Sequence, residues 1–291
     1  MVLLTGWNGF LGSYLAKEFE ENIVKLGRSN LSDICLDLSH EIPVLSKVTL
    51  VIHAAGKAHI IPKTLIDKQQ FHDVNVLGTM NLLRGLEKFG VPKQFVFISS
   101  VSVYGQEDGN NINEKHPFFA KDPYGLSKIE AEVLVNEWCK KHNVICTILR
   151  LPLLVGKNPP GNLGAMLRAI YKGYYFNIGG GKAKKSMVLA EDVARFIPKI
   201  VSVGGTFNLT DGEHPTFHAL SSAISKNKIF NLPLIVAKIM GYLGDILGDK
   251  SPINSLKIKK ITSDLTFDDS KARELGWKPQ SVLEYLKNND L

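Results

Sequence analysis

The sequence predicts an α/β fold, a doubly wound parallel sheet of the Rossmann type with a smaller C-terminal lobe. Three observations predict it. Short apolar runs alternate with helical periodicity through the first half of the 291-residue chain, as in a series of βαβ units. The runs are apolar almost throughout, which suits a sheet covered on both faces. A glycine-rich turn also separates the first predicted strand from the first predicted helix.

The predicted elements follow in chain order. Runs rich in β-branched and aromatic residues predict strands at 2–5, 23–26, 34–36, 50–55, 94–99, 144–149 and 206–209, the last rejoining the sheet. Apolar residues at helical spacing, such as Leu11, Leu15 and Phe19, predict the main helices at 10–20, 64–89 and 124–142.

The alternation breaks after Pro152, where Pro and Gly cluster at 158–161 and Gly at 179–181. We therefore predict a Rossmann domain over residues 1–155, which residues 186–212 rejoin. The remaining segments, 156–185 and 213–291, are predicted to form a smaller and mostly helical lobe.

The chain is basic, with a formal net charge of +7 and a pI of about 9.1. Such a balance suits nucleic acid, an anionic membrane face or a phosphorylated small substrate. No basic run is interleaved with aromatic residues, so a nucleic-acid partner is disfavoured. The lysine clusters at 182–185 and 257–260 are either solvated loop residues or phosphate contacts.

The first residues lack the basic start of a signal peptide. Cys35, Cys139 and Cys146 have neither metal-ligand spacing nor disulfide density, which predicts free thiols, no metal site and a cytoplasmic location. The most apolar stretch, residues 232–247, carries two charges and is shorter than the ~20 apolar residues of a membrane span. It predicts a helix that covers the C-terminal lobe, with an interfacial membrane contact as the alternative.

The glycine-rich turn contains Gly6, Gly9 and Gly12 between a strand and a helix. Gly6 permits a tight turn, Gly9 lets the backbone approach a pyrophosphate, and Gly12 lets the helix pack closely on the strand. The helix N-terminus also presents unpaired N–H groups to phosphate. In this context the turn predicts a dinucleotide site.

The turn after the second predicted strand indicates which dinucleotide is bound. An acid at this turn binds the ribose 2′-hydroxyl of NAD, whereas an arginine accommodates the 2′-phosphate of NADP. Here Arg28 and Ser29 occupy the turn and could hold a phosphate. The pattern favours NADP(H), with NAD(H) possible. Asp37 and Leu38, after the third strand, are placed to contact the adenine.

Tyr124 and Lys128 lie one helical turn apart on one face of a predicted helix. A free tyrosine has a pKa of roughly 10, too high for ready proton exchange near neutrality. A neighbouring ammonium and the positive ring of an oxidised nicotinamide would lower the pKa. The pair is therefore predicted to handle the proton that accompanies hydride transfer.

Several further motifs stand in the same order as in a known family. They are Val51-Ile52-His53-Ala54-Ala55-Gly56, Asn75-Val76-x-Gly78-Thr79, Ser99-Ser100-Val101-Ser102-Val103-Tyr104-Gly105, Leu149-Arg150-Leu151-Pro152 and the C-terminal segment 267–279. With the glycine turn and the Tyr124-x-x-x-Lys128 pair, they make the chain similar to the extended short-chain dehydrogenase/reductase family. Within it, the chain resembles the epimerases and reductases of nucleotide sugars.

The resemblance implies roles for individual residues. Ser100, Tyr124 and Lys128 would be catalytic, with Ser100 bound to the reacting oxygen of the substrate. Asn75 would fix backbone geometry near the site. The implied NAD(P) contacts are Gly6, Trp7, Asn8, Gly9, Phe10, Leu11, Gly12, Arg28, Ser29, Asp37, Leu38, Ala54, Ala55, Gly56, Asn75, Ser99, Tyr124, Lys128 and Leu151. The implied substrate contacts are Ser100, Ser102, Tyr124, Asn162 and Lys185, of which the last two fall in the predicted smaller lobe.

The resemblance also limits the reaction. Dehydratases of the family carry an Asp-Glu pair directly after the catalytic hydroxyl residue, where this chain has Val101 and Ser102. Epimerases retain NAD, whereas reductases commonly consume NADPH, so Arg28 favours reduction. The leading hypothesis is 4-keto reduction of a UDP-4-keto-6-deoxy-hexosamine in bacterial surface polysaccharide biosynthesis.

Two alternatives stay open. The first is a 4-epimerase of a UDP-hexose or UDP-hexosamine. The second is a non-catalytic NAD(P)-binding sensor, which the presence of Ser100, Tyr124 and Lys128 disfavours. Relatives of this type often pair through a four-helix bundle, so the resemblance implies a homodimer formed by the helices at 64–89 and 124–142.

Overall fold

The computed structural model describes residues 1–58, 62–225, 227–248, 251 and 253–289. The strands are β1 (Val2–Thr5), β2 (Ile23–Gly27), β3 (Ile34–Cys35), β4 (Leu50–His53), β5 (Gln94–Ser100), β6 (Gly109–Ile112), β7 (Ile145–Leu151), β8 (Leu153–Val155), β9 (Phe176–Ile178), β10 (Met187–Leu189), β11 (Gly205–Asn208), β12 (Phe230–Leu232) and β13 (Leu265–Phe267). The α-helices are α1 (Phe10–Glu18), α2 (Leu65–His72), α3 (Gly78–Phe89), α4 (Pro123–His142), α5 (Gly161–Tyr171), α6 (Ala190–Ile200), α7 (Phe217–Ile224), α8 (Leu234–Leu247), α9 (Ser255–Thr262), α10 (Ser270–Arg273) and α11 (Val282–Asn288).

Seven strands form one parallel sheet in the order β11-β7-β5-β4-β1-β2-β3. The chain starts at β1 and winds outward in both directions, so the strand order reverses between β1 and β4. In such sheets a ligand binds in the crevice beyond the carboxyl ends of the strands at this point. The architecture is the predicted Rossmann-like α/β fold, and β11 rejoins the sheet as predicted.

The sheet is covered by helices on both faces. Along β1 the side chains alternate, because successive residues of a strand point to opposite faces. Val2 and Leu4 pack in one buried cluster with residues of α1 and α6. Leu3 packs in a second cluster with residues of α3 and α4. The central strands are therefore buried on both sides, which explains their continuous apolar runs.

Two regions differ from the sequence predictions. The helix predicted at 64–89 is interrupted by one π-helical turn at Asp73–Leu77, between α2 and α3. Outside the main sheet, β8 pairs with β10, β9 with β12 and β6 with β13. None of these six strands is among the predicted ones, because strands of three or four residues have too little periodicity to be recognised.

Cys35, Cys139 and Cys146 are free thiols in the structure. Within the described ranges, the side chains of His, Cys, Asp and Glu form no group that could hold a metal ion. Among the helices whose residues are described, none is both long and apolar enough to cross a bilayer.

A buried ion pair joins α4 to β7. The guanidinium of Arg150 donates to both carboxylate oxygens of Glu132, over 2.7 and 3.1 Å. Their side chains are 6% and 2% exposed, so both charges are removed from water. Arg150 also donates to the Tyr104 hydroxyl at 3.1 Å, and Tyr104 donates to Asn208 in β11 at 2.7 Å. The network therefore connects α4 with two strands of the sheet.

We predict that Glu132→Gln lowers the free energy of unfolding by about 3–5 kcal/mol, because the Arg150 guanidinium would stay buried without a counter-charge. Urea denaturation followed by circular dichroism measures the change. Glu137→Gln makes the same chemical change at an exposed position of α4 and should change stability by less than about 0.5 kcal/mol. Equal urea midpoints for the two variants would contradict the prediction.

Gly12 is required by close packing of α1 on the turn that precedes it. A Cβ at this position would lie 1.9 Å from the carbonyl oxygen of Gly6, so backbone would have to move. Gly12→Ala should therefore destabilise the fold by about 1–3 kcal/mol, as other overpacked sites do.

Thermal unfolding measures this effect, and Gly9→Ala is the matched control. A Cβ at Gly9 would meet protein only at the Gly6 carbonyl oxygen, 3.2 Å away. We expect Gly9→Ala to cost about 1 kcal/mol or less. A Gly12→Ala protein that melts at or above the Gly9→Ala protein would show that the turn is not tightly packed.

Candidate active site

The predicted catalytic residues meet at the carboxyl edge of the sheet. Ser100 is the last residue of β5, and Tyr124 and Lys128 lie in the first two turns of α4. This helix begins where the sequence provides the required groups, because the Asp122 side chain accepts from Gly125 N–H and Pro123 occupies the first helical position. The helix start thereby holds Tyr124 next to the end of β5.

Tyr124 lies close to Ser100. Burial raises the pKa of Tyr124 above its ordinary value, and the Ser100 hydroxyl acts in the opposite direction. Ser100 is itself oriented by a short 3-10 turn, in which its hydroxyl oxygen accepts from Ser102 N–H at 3.1 Å. The Ser100 hydroxyl also lies 3.1 Å from that of Ser102. The structure thus brings together three of the polar side chains predicted to face the substrate.

Lys128 is buried behind the pair, and its ammonium donates to the carbonyl oxygen of Ile98 at 2.8 Å. Burial lowers the pKa of Lys128 to about 8, although the charge of Glu132 acts to raise it. The sequence led us to expect that Lys128 lowers the pKa of Tyr124. The predicted lowering also relied on the positive ring of the nicotinamide; among the protein groups, burial of the phenol outweighs the Ser100 hydroxyl and raises the pKa.

Asn75 holds the loop that follows β4. Its side chain accepts from Lys57 N–H at 2.7 Å and donates to the Lys57 carbonyl at 3.1 Å, so it pairs with both backbone groups of that residue. It also donates to the Ser127 hydroxyl at 2.9 Å. Because a Cβ at Gly56 would lie 3.1 Å from Asn75 and 3.3 Å from Lys128, the three residues are in close contact. Asn75 lies in the π-helical turn, a feature frequent at functional sites.

The glycine turn has the shape that a dinucleotide requires. Gly6 has a φ of +70° and faces the backbone of Ala54 and Ala55, where a Cβ would come within 2.6 Å. Gly9 is the N-cap of α1 and contributes no side chain to the first N–H groups of the helix. Those groups are left for an anion to bind. Leu11 and Gly12 are buried, so their contribution to such a site comes from the backbone.

The side chains around this turn form its rim. Trp7 and Phe10 are half-buried and Asn8 is exposed. The indole of Trp7 donates to the Ser32 hydroxyl at 2.9 Å, which ties the glycine turn to the segment between β2 and β3. The crevice is therefore bounded on this side by Trp7 and Ser32.

Arg28 and Ser29 directly follow β2 at the carboxyl edge of the sheet. The Arg28 side chain is 77% exposed and lies 3.7 Å from Asp37, which follows β3. Partial burial raises the pKa of Asp37, but hydrogen bonds from Ser39 and the charge of Arg28 outweigh it, and the net direction is downward. Arg28, the predicted ligand of the NADP 2′-phosphate, thus lies beside the ionised Asp37, which is predicted to contact the adenine.

The remaining predicted cofactor contacts lie in different surroundings. Leu38 is buried and lies next to Gly78 at the start of α3. Leu151 pairs in register with Ser100. Ser99 is buried, and its hydroxyl donates to Glu132, so this side chain belongs to the ion-pair network.

The two substrate contacts predicted in the C-terminal half lie apart from this cluster. Asn162 is an exposed residue in the first turn of α5. Lys185 bridges to Leu265 of β13. Burial lowers the pKa of Lys185, Asp264 and Asp108 raise it, and Lys260 lowers it. The structure therefore brings Lys185 and Lys260 into one neighbourhood, together with two carboxylates.

Sequence analysis missed Glu132 as a positioning residue of the site. It lies one helical turn beyond Lys128, accepts from Ser99 and pairs with Arg150. The spacing was visible, because residues four apart share a helix face and Lys128 was already placed toward the interior. His53, by contrast, is a buried connector between Thr5 and Thr79, and burial lowers its pKa to about 3, so it stays neutral.

Comparison with known proteins identifies a family and several relatives to which the chain is similar. The model of the NAD dependent epimerase/dehydratase family matches residues 2–209. An N-acetyl-alpha-D-glucosaminyl-diphospho-ditrans,octacis-undecaprenol 4-epimerase of Escherichia coli O157:H7 is 29% identical over 95% of this chain and 89% of the relative. A UDP-glucose 4-epimerase of Vibrio cholerae is 28% identical over 97% of the chain and 92% of the relative. A GDP-6-deoxy-D-mannose reductase of Pseudomonas aeruginosa is 31% identical over 47% of the chain and 46% of the relative.

Solved structures share the fold over almost the whole chain. A UDP-N-acetylglucosamine 4-epimerase from Bacillus cereus superimposes with a TM-score of 0.74 and 24% identity, covering 99% of this chain and 96% of the other. RMD from Pseudomonas aeruginosa, solved with NADPH, gives a TM-score of 0.70 with 21% identity and covers 98% and 96%. The chain belongs to the NAD dependent epimerase/dehydratase family and is an enzyme of the short-chain dehydrogenase/reductase type.

Proposed function

We propose that the chain is a 4-epimerase of an N-acetylhexosamine that is carried on a diphosphate. The observation that carries the proposal is the meeting of Ser100, Tyr124 and Lys128 beside the glycine turn, at the point where the strand order reverses. That arrangement supports hydride exchange at a sugar carbon. Epimerisation is preferred because two relatives matched over nearly their whole length are named as 4-epimerases.

The residues around the crevice fit a nicotinamide dinucleotide. The glycine turn and the first N–H groups of α1 would hold the pyrophosphate, and Arg28 lies where the adenosine ribose is recognised. When bound, the nicotinamide would take up and return the hydride of C4 and, in its oxidised form, would add a positive charge beside the phenol. Neighbouring structures include a complex with NADPH and one with NAD, so either dinucleotide is compatible with the fold.

Tyr124 would exchange the proton of the C4 oxygen. Its hydroxyl takes this proton when the sugar is oxidised to the 4-keto form and returns it when the sugar is reduced. Ser100 would hydrogen-bond the same oxygen and hold it beside Tyr124. Lys128 lies against Gly56 and Asn75, where its ammonium can contact the ribose next to the reacting ring.

The diphosphate of the substrate would bind between the sheet and the C-terminal half. We assign this contact to Lys185 with Lys260 as its neighbour, and Asn162 to the group beyond the diphosphate. Lysine supplies a point charge rather than a two-pronged contact, so orientation of the diphosphate depends on both lysines. The carrier of the diphosphate is either a nucleotide such as UDP or a polyprenol, and both share this chemistry.

A second candidate is 4-keto reduction of a UDP-4-keto-6-deoxy-hexosamine. Arg28 supports it, because an exposed arginine after β2 suits the 2′-phosphate of NADPH, the usual cofactor of a reductase. The relative named as a reductase covers about half of this chain.

Helices α2, α3 and α4 also offer a surface for a homodimer. Leu65 and Ile66 in α2 are 81% and 71% exposed, and Leu126 and Val133 in α4 are 49% and 44% exposed. Large apolar residues exposed on neighbouring helices are typical of an interface. We infer that a second copy of the chain covers these apolar side chains. Separately, we propose a cytoplasmic location for the enzyme, as the free cysteines predict.

The reaction is tested with purified protein to which no cofactor is added. We expect conversion between UDP-N-acetylglucosamine and its C4 epimer, followed by NMR, because an epimerase regenerates its own dinucleotide in every cycle. Conversion of only a polyprenyl-diphosphate sugar would assign the carrier to lipid. Oxidation of added NADPH by a UDP-4-keto-6-deoxy-hexosamine, without epimerisation, would replace the proposal by the reductase. A retained dinucleotide without any turnover would indicate a sensor.

Tyr124→Phe should lower turnover by about a hundredfold or more, because the proton of the C4 oxygen loses its acceptor and donor. The dinucleotide that co-purifies, quantified by mass spectrometry, should be unchanged, since the glycine turn is intact. Tyr171→Phe removes a hydroxyl from an exposed tyrosine and serves as the control. Turnover of the Tyr124→Phe protein within threefold of that control would remove Tyr124 from the catalytic group.

A further inference from the structure

Helix α8 has the reverse of the usual pattern of a surface helix. Its buried residues are the small ones, Ala237, Gly241 and Gly244, which lie at helical spacing on one face. This face packs on α9 and the segment before it, since a Cβ at Gly241 would lie 3.2 Å from Ser255, and one at Gly244 would lie 1.8 Å from the Ile253 carbonyl oxygen. The large apolar side chains therefore point away from the protein.

These exposed side chains form what we name the apolar face of α8. Their exposed fractions range from 39% for Met240 to 82% for Ile246. The face consists of Ile235, Val236, Ile239, Met240, Tyr242, Leu243, Ile246 and Leu247. Exposed apolar patches of this kind mark contacts with a protein partner or a membrane.

Aromatic residues extend this face beyond the helix. Phe230, which is 82% exposed, lies in β12 and is paired with Phe176 of β9. Tyr174, two residues before Phe176, is 62% exposed. This pair of strands adjoins the start of α8, because a Cβ at Gly179 would contact the Leu234 side chain at 3.4 Å. Tyrosine and other aromatic rings are enriched where proteins meet the headgroup region of a bilayer.

The charge around the apolar face is mainly positive, although α8 also carries the exposed Asp245, whose carboxylate accepts from Ser255 N–H. Residues 157–190 and 215–244, which include β9, β12 and most of α8, contain nine lysines and arginines and no aspartate or glutamate. Lys172, Lys182, Lys228 and Lys238 are exposed, and none of them forms an ion pair in the described part of the chain. The surface is therefore apolar with a basic border.

We propose that the apolar face of α8 docks on the surface of an anionic lipid bilayer. The helix has 14 residues, about 21 Å at 1.5 Å per residue, which suits a helix lying in the interface rather than across the bilayer. The basic border complements anionic headgroups. A symmetric contact between two copies would instead bring two mainly basic borders together, and like charges oppose such pairing.

Docking would bring the candidate active site close to the lipid surface. Helix α9, on which α8 packs, is tied to the segment after Ser100–Tyr104 by ion pairs of Lys259 with Asp108 at 2.9 Å and of Lys260 with Glu107 at 3.2 Å. Helix α9 thus connects α8 with that segment. The proposal concerns binding to lipid and is independent of the reaction proposed above.

Flotation of the full chain with lipid vesicles tests the proposal. We expect the protein to float with vesicles of an equimolar mixture of phosphatidylcholine and phosphatidylglycerol, and to bind less to phosphatidylcholine alone. Ile235→Glu combined with Ile246→Glu should weaken partition to the mixed vesicles by about a hundredfold or more, since two buried apolar side chains are lost from the lipid contact. Both side chains are more than 70% exposed, so the fold is expected to persist.

The control combines Val44→Glu with Val203→Glu, which adds the same charge at exposed sites far along the chain from α8. It should float like the unmodified protein. Lys228→Gln with Lys238→Gln should reduce binding to the mixed vesicles alone. Failure of the unmodified protein to float, or equal flotation of the Ile235/Ile246 double variant, would overturn the proposal. So would light scattering showing that this variant turns a dimer into a monomer, because a second copy would then cover the face.

Conversion of a water-soluble UDP-sugar, measured without vesicles, separates this proposal from the proposed function. The Ile235/Ile246 double variant should retain the rate of the unmodified protein, since α8 contributes no residue to the candidate active site. Loss of flotation with retained turnover supports docking. Loss of both would show that the substitutions damage the fold, and the proposal would then depend on the lysine variant, which must lose flotation to the mixed vesicles.

Discussion

The buried ion pair between Glu132 and Arg150 is the contact on which the candidate active site depends. Helix α4 carries Tyr124 and Lys128, and its rotation decides where they face. The pair joins this helix to β7, while Ser99 binds the same carboxylate from β5. Buried charges need partners for their hydrogen-bonding groups, and here the Tyr104 hydroxyl and the Glu114 carbonyl oxygen also accept from the Arg150 guanidinium. One orientation of α4 therefore satisfies the network.

The contacts that hold helix α4 also influence the charges of Lys128 and Tyr124. Burial of Lys128 disfavours its charge, and the Glu132 carboxylate one turn away partly restores it. Burial of Tyr124 keeps its phenol protonated, and Ser100 opposes this effect. The polar network that holds the helix thus also influences the charge at the site. The acid–base properties of the pair come from its surroundings as much as from its spacing.

The C-terminal half of the chain is stabilised differently from the main sheet. The main sheet is stabilised by large apolar side chains on both faces, whereas α8 packs by small residues and exposes its large ones. Short strand pairs and ion pairs connect this half to the segment after Ser100. Its surface is basic because long segments lack acidic residues. The same excess of basic residues would serve both the proposed site for a phosphorylated substrate and the proposed surface for anionic lipid.

Periodicity and short spacings are local properties of the chain, so the sequence was enough to predict the Rossmann fold, the glycine turn and the pairing of Tyr124 with Lys128. Ser100 was added to this pair by the resemblance to the family. The sequence could not determine the π-helical turn that places Asn75, the role of Glu132, or the three additional strand pairs. It could not determine how far burial raises the pKa of Tyr124 either. These features depend on contacts between residues far apart in sequence, such as Glu132 with Arg150 or Lys185 with Leu265. Burial and packing decide those contacts, and both are settled only when the whole chain has folded.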